Sequence, residues 1–227
     1  KSIPHFNIPG CNLKWMSCGV DEAGRGPAIG PMVVAGVCAD RDRLIEIGVK
    51  DSKKLSPGRR ERLEREIRKV ATKIVIRVVE PEEIDMMREN ITINEIEVRI
   101  FADVINELNC REVYVDAADV DAERFSLEIS KYLKKEVRII SRHKADEIYP
   151  EVSAASIIAK VERDRIIQKI SQEIGDFGSG YPSDPRTAEF LREYYKKHGK
   201  FPPHTRLSWK NVKKIVEESK QKSIDDF

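Results

Sequence analysis

The sequence predicts an α/β protein: a five-stranded mixed sheet flanked by helices, with an additional helical region at the carboxyl end. Three observations carry this. Short apolar runs rich in β-branched residues lie at 18–21, 31–38 and 72–79, all in the first third of the chain. Between 92 and 141, helical and strand patterns alternate, as parallel strands joined by helical crossovers require. Beyond about residue 150 only helical periodicity remains. The first three strands are therefore expected as an antiparallel meander and the later two as its parallel extension.

Each element has a local reason. After the first two strands, "DSKKLSP" (51–57) reads as a loop ending in a helix start, with Ser56 as N-cap and Pro57 at the first helical position. The charged helix that follows, 58–71, carries Leu63, Ile67 and Val70 on one face. "TKIVIRVV" (72–79) is the third strand and "PEEID" opens a short helix. Residues 92–108 place apolar side chains at 93, 96, 100, 104, 105 and 108, with Thr92 as cap. "EVYVD" (112–116) is the fourth strand, and a helix over 121–133 leads to the fifth, "EVRIIS" (136–141). A helix rich in small residues, "VSAASIIAKVERDRIIQKIS", precedes the turn-rich "GDFGSGYPSDP" (175–185), and two basic helices follow at about 186–198 and 207–219. This divides the chain into an extension or cloning remnant (1–16, with Met16 a candidate start), a core (17–185), a basic helical region packed on it (186–219) and a tail (220–227).

Bulk properties narrow the classes. At 227 residues the chain is long enough for one sizeable core. No apolar run approaches the roughly 20 residues of a membrane helix, and no secretory pattern opens the chain, so a soluble, intracellular protein is expected. Cysteines at 11, 18, 38 and 110 form no CxxC pair and have no histidine at zinc-ligand spacing, so reduced thiols are expected. Charged residues are 35% of the chain and Gln occurs three times, a mix that resembles proteins working at high temperature. The net charge of +2 hides an asymmetry. Residues 186–222 hold eleven Lys or Arg against four Glu, a net of +7, which marks a polyanion-binding surface or a solvated helical face.

The chemistry concentrates in "VDEAGRGPAIGP" (20–31). Asp21 ends strand one, Asp116 ends strand four and Asp146 follows strand five, where sites in such sheets gather. With Glu22 they make a set of hard oxygen donors suited to Mg²⁺ or Mn²⁺, two of which together can promote phosphodiester cleavage. Alone, Asp21 or Asp116 reads better as a turn cap; three strand-end acids together turn the balance toward a site. Consecutive strand residues point to opposite faces, so Glu22 must sit where the strand gives way to the loop if it is to join Asp21. Asp119 and Asp121 fit helix capping better. Gly24-Arg25-Gly26 is followed by Pro27 and a second β-like run, which excludes a dinucleotide fingerprint. Either it is a tight turn, or its bare backbone approaches a sugar while Arg25 meets phosphate.

"GVDEAGRGP", "VKDSKKL", "TINEIE", "YVDAADV", "HKADEIYP", "VSAASIIAKVERD" and "GSGYPSDP", in that order and spacing, resemble the blocks of ribonuclease HII, especially its archaeal forms, from about residue 17 onward. The resemblance implies a ribonuclease H-like fold. It also implies cleavage of the RNA strand in RNA–DNA hybrids and at single ribonucleotides in duplex DNA, leaving 5′-phosphate and 3′-hydroxyl ends. By resemblance the metal-binding, catalytic acids are Asp21, Glu22, Asp116 and Asp146; Gly24, Arg25 and Gly26 read the ribose 2′-hydroxyl; and Tyr181 stacks at the RNA-to-DNA junction. Lys53 corresponds to a phosphate contact, with surface solvation as its competitor, and His143 and Lys144 stand beside the acids. An aromatic in a glycine-rich loop, outside any amphipathic helix, suits stacking better than a core. The last residues, "QKSIDDF", place Gln221, Ile224 and Phe227 at the spacing of a peptide that binds the sliding clamp (proliferating cell nuclear antigen), without its second aromatic. The implied enzyme works as a monomer in the cytoplasm, in ribonucleotide excision and primer removal, with no membrane partner.

Two other classes compete. A junction resolvase or transposase-like nuclease would share the acids but not the glycine loop and tyrosine. A non-catalytic nucleic-acid-binding module has no use for four acids that repel phosphate.

Overall fold

In the computed structural model, residues 16–49, 55–117 and 119–225 are described. Lys53 and Phe227 lie outside them. The strands are β1 (Met16–Ala23), β2 (Met32–Asp40), β3 (Ala71–Val79), β4 (Glu112–Asp116) and β5 (Arg138–Arg142), in the order β3-β2-β1-β4-β5. β1, β2 and β3 form the expected antiparallel meander, and β4 and β5 extend it in parallel. The helices are α1 (Arg41–Glu46), α2 (Pro57–Val70), α3 (Pro81–Arg88), α4 (Ile93–Leu108), α5 (Ala122–Ser130), α6 (Ala145–Ile148), α7 (Pro150–Ile174), α8 (Pro185–His198) and α9 (Lys210–Asp225).

Strand alternation divides β1 between two layers. Cys18 and Val20 join a core with Phe101 and Ile105 of α4 and Phe125 of α5. On the opposite face α7 lies against the sheet, where Val33 and Val37 of β2 pack with Ala154 and Ile158 of α7 and Leu63 and Ile67 of α2. A third core, Ala28, Ile29, Ile170, Phe177, Leu191, Val212 and Ile215, joins the segment after β1 to the carboxyl-terminal helices. Gly19 controls the approach of α7: a Cβ there would stand 2.3 Å from the Glu151 carbonyl carbon.

Several boundaries differ from those the sequence predicts. The short α1 is capped by Asp40, whose side chain accepts from the N–H groups of Asp42 and Arg43, and six residues are too few to show a helical period. α5 stops at Ser130, before the predicted 133. α9 continues past 219 to Asp225, so Gln221 and Ile224 stand on a helix rather than in a separate tail. Asp121 caps α5 as expected, and Asp119 accepts from the Asp121 N–H and pairs with Arg124.

The cysteine reading is corrected outright. Cys18 and Cys38 face each other across β1 and β2 and are joined by a disulfide; Cys110 is a free thiol. A separation of 20 residues carries no such signal in sequence. Strand register brings the two side chains together.

Because α7 meets β1 with no room for a methyl group, Gly19→Ala is expected to cost about 1–3 kcal/mol. Urea unfolding should show a lower midpoint with an unchanged m value.

Candidate active site

β1 and β4 run parallel with Val20 opposite Val115, so Asp21 and Asp116, each the next residue, project from adjacent strands toward the α7 side. Asp116 accepts from the Ala145 N–H at 3.2 Å, which ties it to the start of α6, and Asp146 is buried in the first turn of that helix. One carboxylate oxygen from each of Asp21, Asp116 and Asp146 lies within 4.8 Å of the others. Burial raises the Asp21 carboxyl well above its ordinary range, and the charges of Glu22 and Asp116 raise it further; the hydroxyl of Ser156 on α7 partly offsets them. Such a set fits a hard divalent cation, because every donor is a carboxylate oxygen and a cation among them reverses the repulsion.

Glu22 sits within β1, its Cα opposite that of Val34, not at the strand end where the sequence reading puts it. The strand runs two residues beyond Asp21, so alternation turns Glu22 toward α4. There its carboxyl meets Glu97, while it still touches the Asp21 side chain. Glu22 is therefore adjacent to the three converging aspartates but not one of their set. Burial, followed by the charge of Glu97, lifts Glu22 from 4.5 to about 8. Burial also raises Glu97, against the pull of Arg25.

Arg25 is turned inward. Its Nε donates to Glu97 Oε2 at 2.8 Å and an Nη donates to Asn94, so the guanidinium is bound to α4 instead of projecting toward a phosphate. Gly24 has φ +82° and passes directly over Arg163 of α7, where a Cβ would fall 2.1 Å from Nε. The Tyr181 ring stands beside Gly26, 3.5 Å from where its Cβ would be, and Tyr181 is 40% exposed. Its loop is stitched to the glycine loop by the Ala28 N–H, which donates to Gly180 O at 2.7 Å. These groups line one cleft of about 510 Å³: Glu22, Gly24, Arg25, Gly26 and Tyr181, with Arg60, Lys160 and Arg163. His143 lies 3.1 Å from the Val120 carbonyl, a loop contact.

Sequence reasoning missed Glu97, Arg163, Arg206 and Trp209. Glu97 had a signal, since it falls on the apolar stripe of α4 between Ile93 and Ile100, where a lone carboxylate calls for a partner. The others lie where side-chain type says nothing of direction.

A sheet in this order, with Asp21 inside its first strand beside Asp116 at the end of its fourth and helices on both faces, defines a ribonuclease H-like fold. The family model for ribonuclease HII matches residues 18–212. Ribonuclease HII of Thermococcus kodakarensis is 52% identical over 212 residues, 90% of this chain and 92% of that one. The Pyrococcus furiosus protein is 53% identical over 218 residues, covering 92% and 96%. The crystal structure of ribonuclease H2 from Pyrococcus horikoshii superimposes with a TM-score of 0.84 at 49% identity, over 89% of this chain and 98% of that chain. The Archaeoglobus fulgidus ribonuclease HII, in its complex with PCNA, gives 0.80 at 50%, over 86% and 95%. Bst-RNase HIII, solved with Mn²⁺, shares the fold at 19% identity with a TM-score of 0.75, over 97% of this chain and 77% of that one. The chain belongs to the ribonuclease HII family and is a ribonuclease H enzyme.

The raised carboxyls make the metal-free stability depend on pH. The folded state keeps protons on these groups that the unfolded chain has released, so their contribution to stability is fully present below the ordinary 4.5 and is lost as pH rises toward about 8. In chelator the melting temperature should drop across that interval, Glu22→Gln should flatten the slope, and added Mg²⁺ should raise the melting temperature most at the alkaline end.

Proposed function

We propose that this chain hydrolyses the RNA strand of RNA–DNA hybrids and cuts at single ribonucleotides embedded in duplex DNA, giving 5′-phosphate and 3′-hydroxyl ends. One observation carries the reading: three aspartates converge within 4.8 Å, and Glu22, the residue after the first of them, lines one cleft with the glycine loop and an exposed tyrosine. Asp21, Asp116 and Asp146 are the proposed metal ligands and catalytic acids, with Glu22 the fourth acid beside them. Divalent ions, Mg²⁺ or Mn²⁺, when bound there supply activation of a water and stabilisation of a leaving oxygen. The protein's own groups do the rest. Gly24 and Gly26, lacking side chains, let backbone come close to the ribose, and the 2′-hydroxyl is the group that separates RNA from DNA at that point. Tyr181 offers its ring to the neighbouring sugar or base. Lys53 is proposed as a phosphate contact, and Arg60, Lys160 and Arg163 bring positive charge to the cleft wall, where Arg60 is paired with Asp164. Arg25 serves the loop through its bonds to α4.

The basic carboxyl-terminal region supports binding of the duplex beyond the cut. The Archaeoglobus fulgidus relative is described in complex with PCNA. Together with the spacing of Gln221, Ile224 and Phe227, this supports a sliding clamp as partner, in ribonucleotide excision and RNA primer removal. The enzyme is proposed to act as a monomer in the cytoplasm. Among the described residues no helix is long and apolar enough to cross a membrane.

Incubation with matched duplexes holding zero, one or many ribonucleotides, with and without chelator, tests the assignment. Cleavage should need both ribonucleotide and divalent metal, and comparable cutting of the all-DNA duplex would favour a resolvase-like nuclease. Asp21→Asn at saturating Mg²⁺ should lose more than about 100-fold in rate, beyond the typical loss for a group one shell further from a metal. Removing residues 221–227 should leave cleavage intact and abolish clamp binding in a pull-down; unchanged affinity would retire the tail motif.

A further inference from the structure

The segment between α8 and α9 belongs to the basic carboxyl-terminal region, yet its Arg206 is buried away from any duplex and holds the glycine loop from behind. Arg206 is fully buried, and all three of its guanidinium nitrogens donate to backbone carbonyls: Nη2 to Gly24 O at 2.6 Å, Nη1 to Arg25 O at 2.8 Å and Nε to Gly30 O at 2.9 Å. Trp209 completes the set, its Nε1 donating to Gly26 O at 3.0 Å while the Arg206 guanidinium lies 4.8 Å from its ring centroid. Three consecutive loop carbonyls are thus each taken up by a side chain about 180 residues away. The segment is itself anchored. Asp85 of α3 accepts from the N–H groups of Leu207 and Ser208, and the Arg206 N–H donates to Ala28 O.

Burying a guanidinium without a carboxylate among these bonds is costly, and carbonyl acceptors at fixed positions are what offset it. A general structural cation would be served by any carbonyls; this one takes two of the three in the loop that faces the cleft. With the carbonyls of Gly24, Arg25 and Gly26 each held by one of these donors, the three oxygens are committed to the protein and are not free to turn toward the cleft.

We propose that Arg206 and Trp209 are positioning residues for ribose discrimination, fixing which backbone groups of Gly24, Arg25 and Gly26 meet the 2′-hydroxyl. This rests on the reading of that loop as the ribose sensor. Neither side chain touches the reacting atoms; both act through the backbone they hold. Trp209→Phe keeps a ring over Arg206 and removes one donor, and Arg206→Lys keeps the charge while losing the fork that spans two adjacent carbonyls.

The test uses the full chain with Mg²⁺, comparing KM for a duplex with one ribonucleotide against the inhibition constant of the identical all-DNA duplex. In Trp209→Phe, KM should rise about threefold to tenfold, the weight of one neutral hydrogen bond. The inhibition constant should stay near its original value, and the melting temperature should fall by no more than the few degrees that one lost internal hydrogen bond costs. Arg206→Lys should move KM further in the same direction; if it does not fold, Trp209→Phe decides alone. An unchanged ratio of the two constants in a folded variant overturns the proposal. So does a parallel rise in both with a lowered melting temperature, which is the mark of a purely structural role. If the unmodified enzyme shows no difference between the two constants, the ribose-sensing reading itself fails.

Discussion

Like charges gathered out of water are the constraint on which this molecule turns. Asp21 and Asp116 stand side by side because β1 and β4 pair in parallel, and Asp146 joins them because the Asp116 carboxylate accepts from the backbone at the head of α6. Each acid raises the cost of ionising the next, and burial adds to the cost. A cluster of this kind is a poor structural element and a good cation site. The sheet supplies the rigidity that keeps the carboxylates from moving apart: β1 is central, hydrogen-bonded on both edges and covered on both faces. The close seat of α7 on Gly19 fixes that face of the strand two residues before the first acid.

From the end of β1 the chain passes directly into the glycine loop, so the loop inherits its position from the strand that carries Asp21. Arg25 is bound to Glu97 and Asn94 of α4, and the loop carbonyls are bound to Arg206 and Trp209. The Tyr181 loop is sewn to it through Gly180. A glycine-rich segment has the largest conformational freedom of any, and here nearly every outward degree of freedom is removed by a contact from elsewhere in the fold. The carboxyl-terminal helices therefore do more than add positive charge. They share a core with Ala28 and Ile29 and carry the segment that braces the loop.

The legible parts were those governed by short-range periodicity. Thr92 and Asp121 cap where they were expected to, the stripe of α4 is buried as its spacing required, and the antiparallel meander with its parallel extension followed from the alternation of elements. Illegible parts depended on direction. Glu22 sits inside β1 and faces Glu97, because the strand continues to Ala23. Arg25 points to α4 because a buried carboxylate waits there. The Cys18–Cys38 bond follows from a register that no spacing rule contains.

By itself, then, the sequence determined the kinds of element, their order along the chain and the three aspartates as candidates for one cluster, because hydrophobic period, caps and carboxylates near strand ends are written within a few neighbouring residues. The tertiary structure alone decided which carboxylates share a space, which way Arg25 turns and what holds the glycine loop. Those contacts join residues from 29 to more than 180 positions apart. Whether two such residues meet is set by packing and register, and neither is a property of any one stretch of chain.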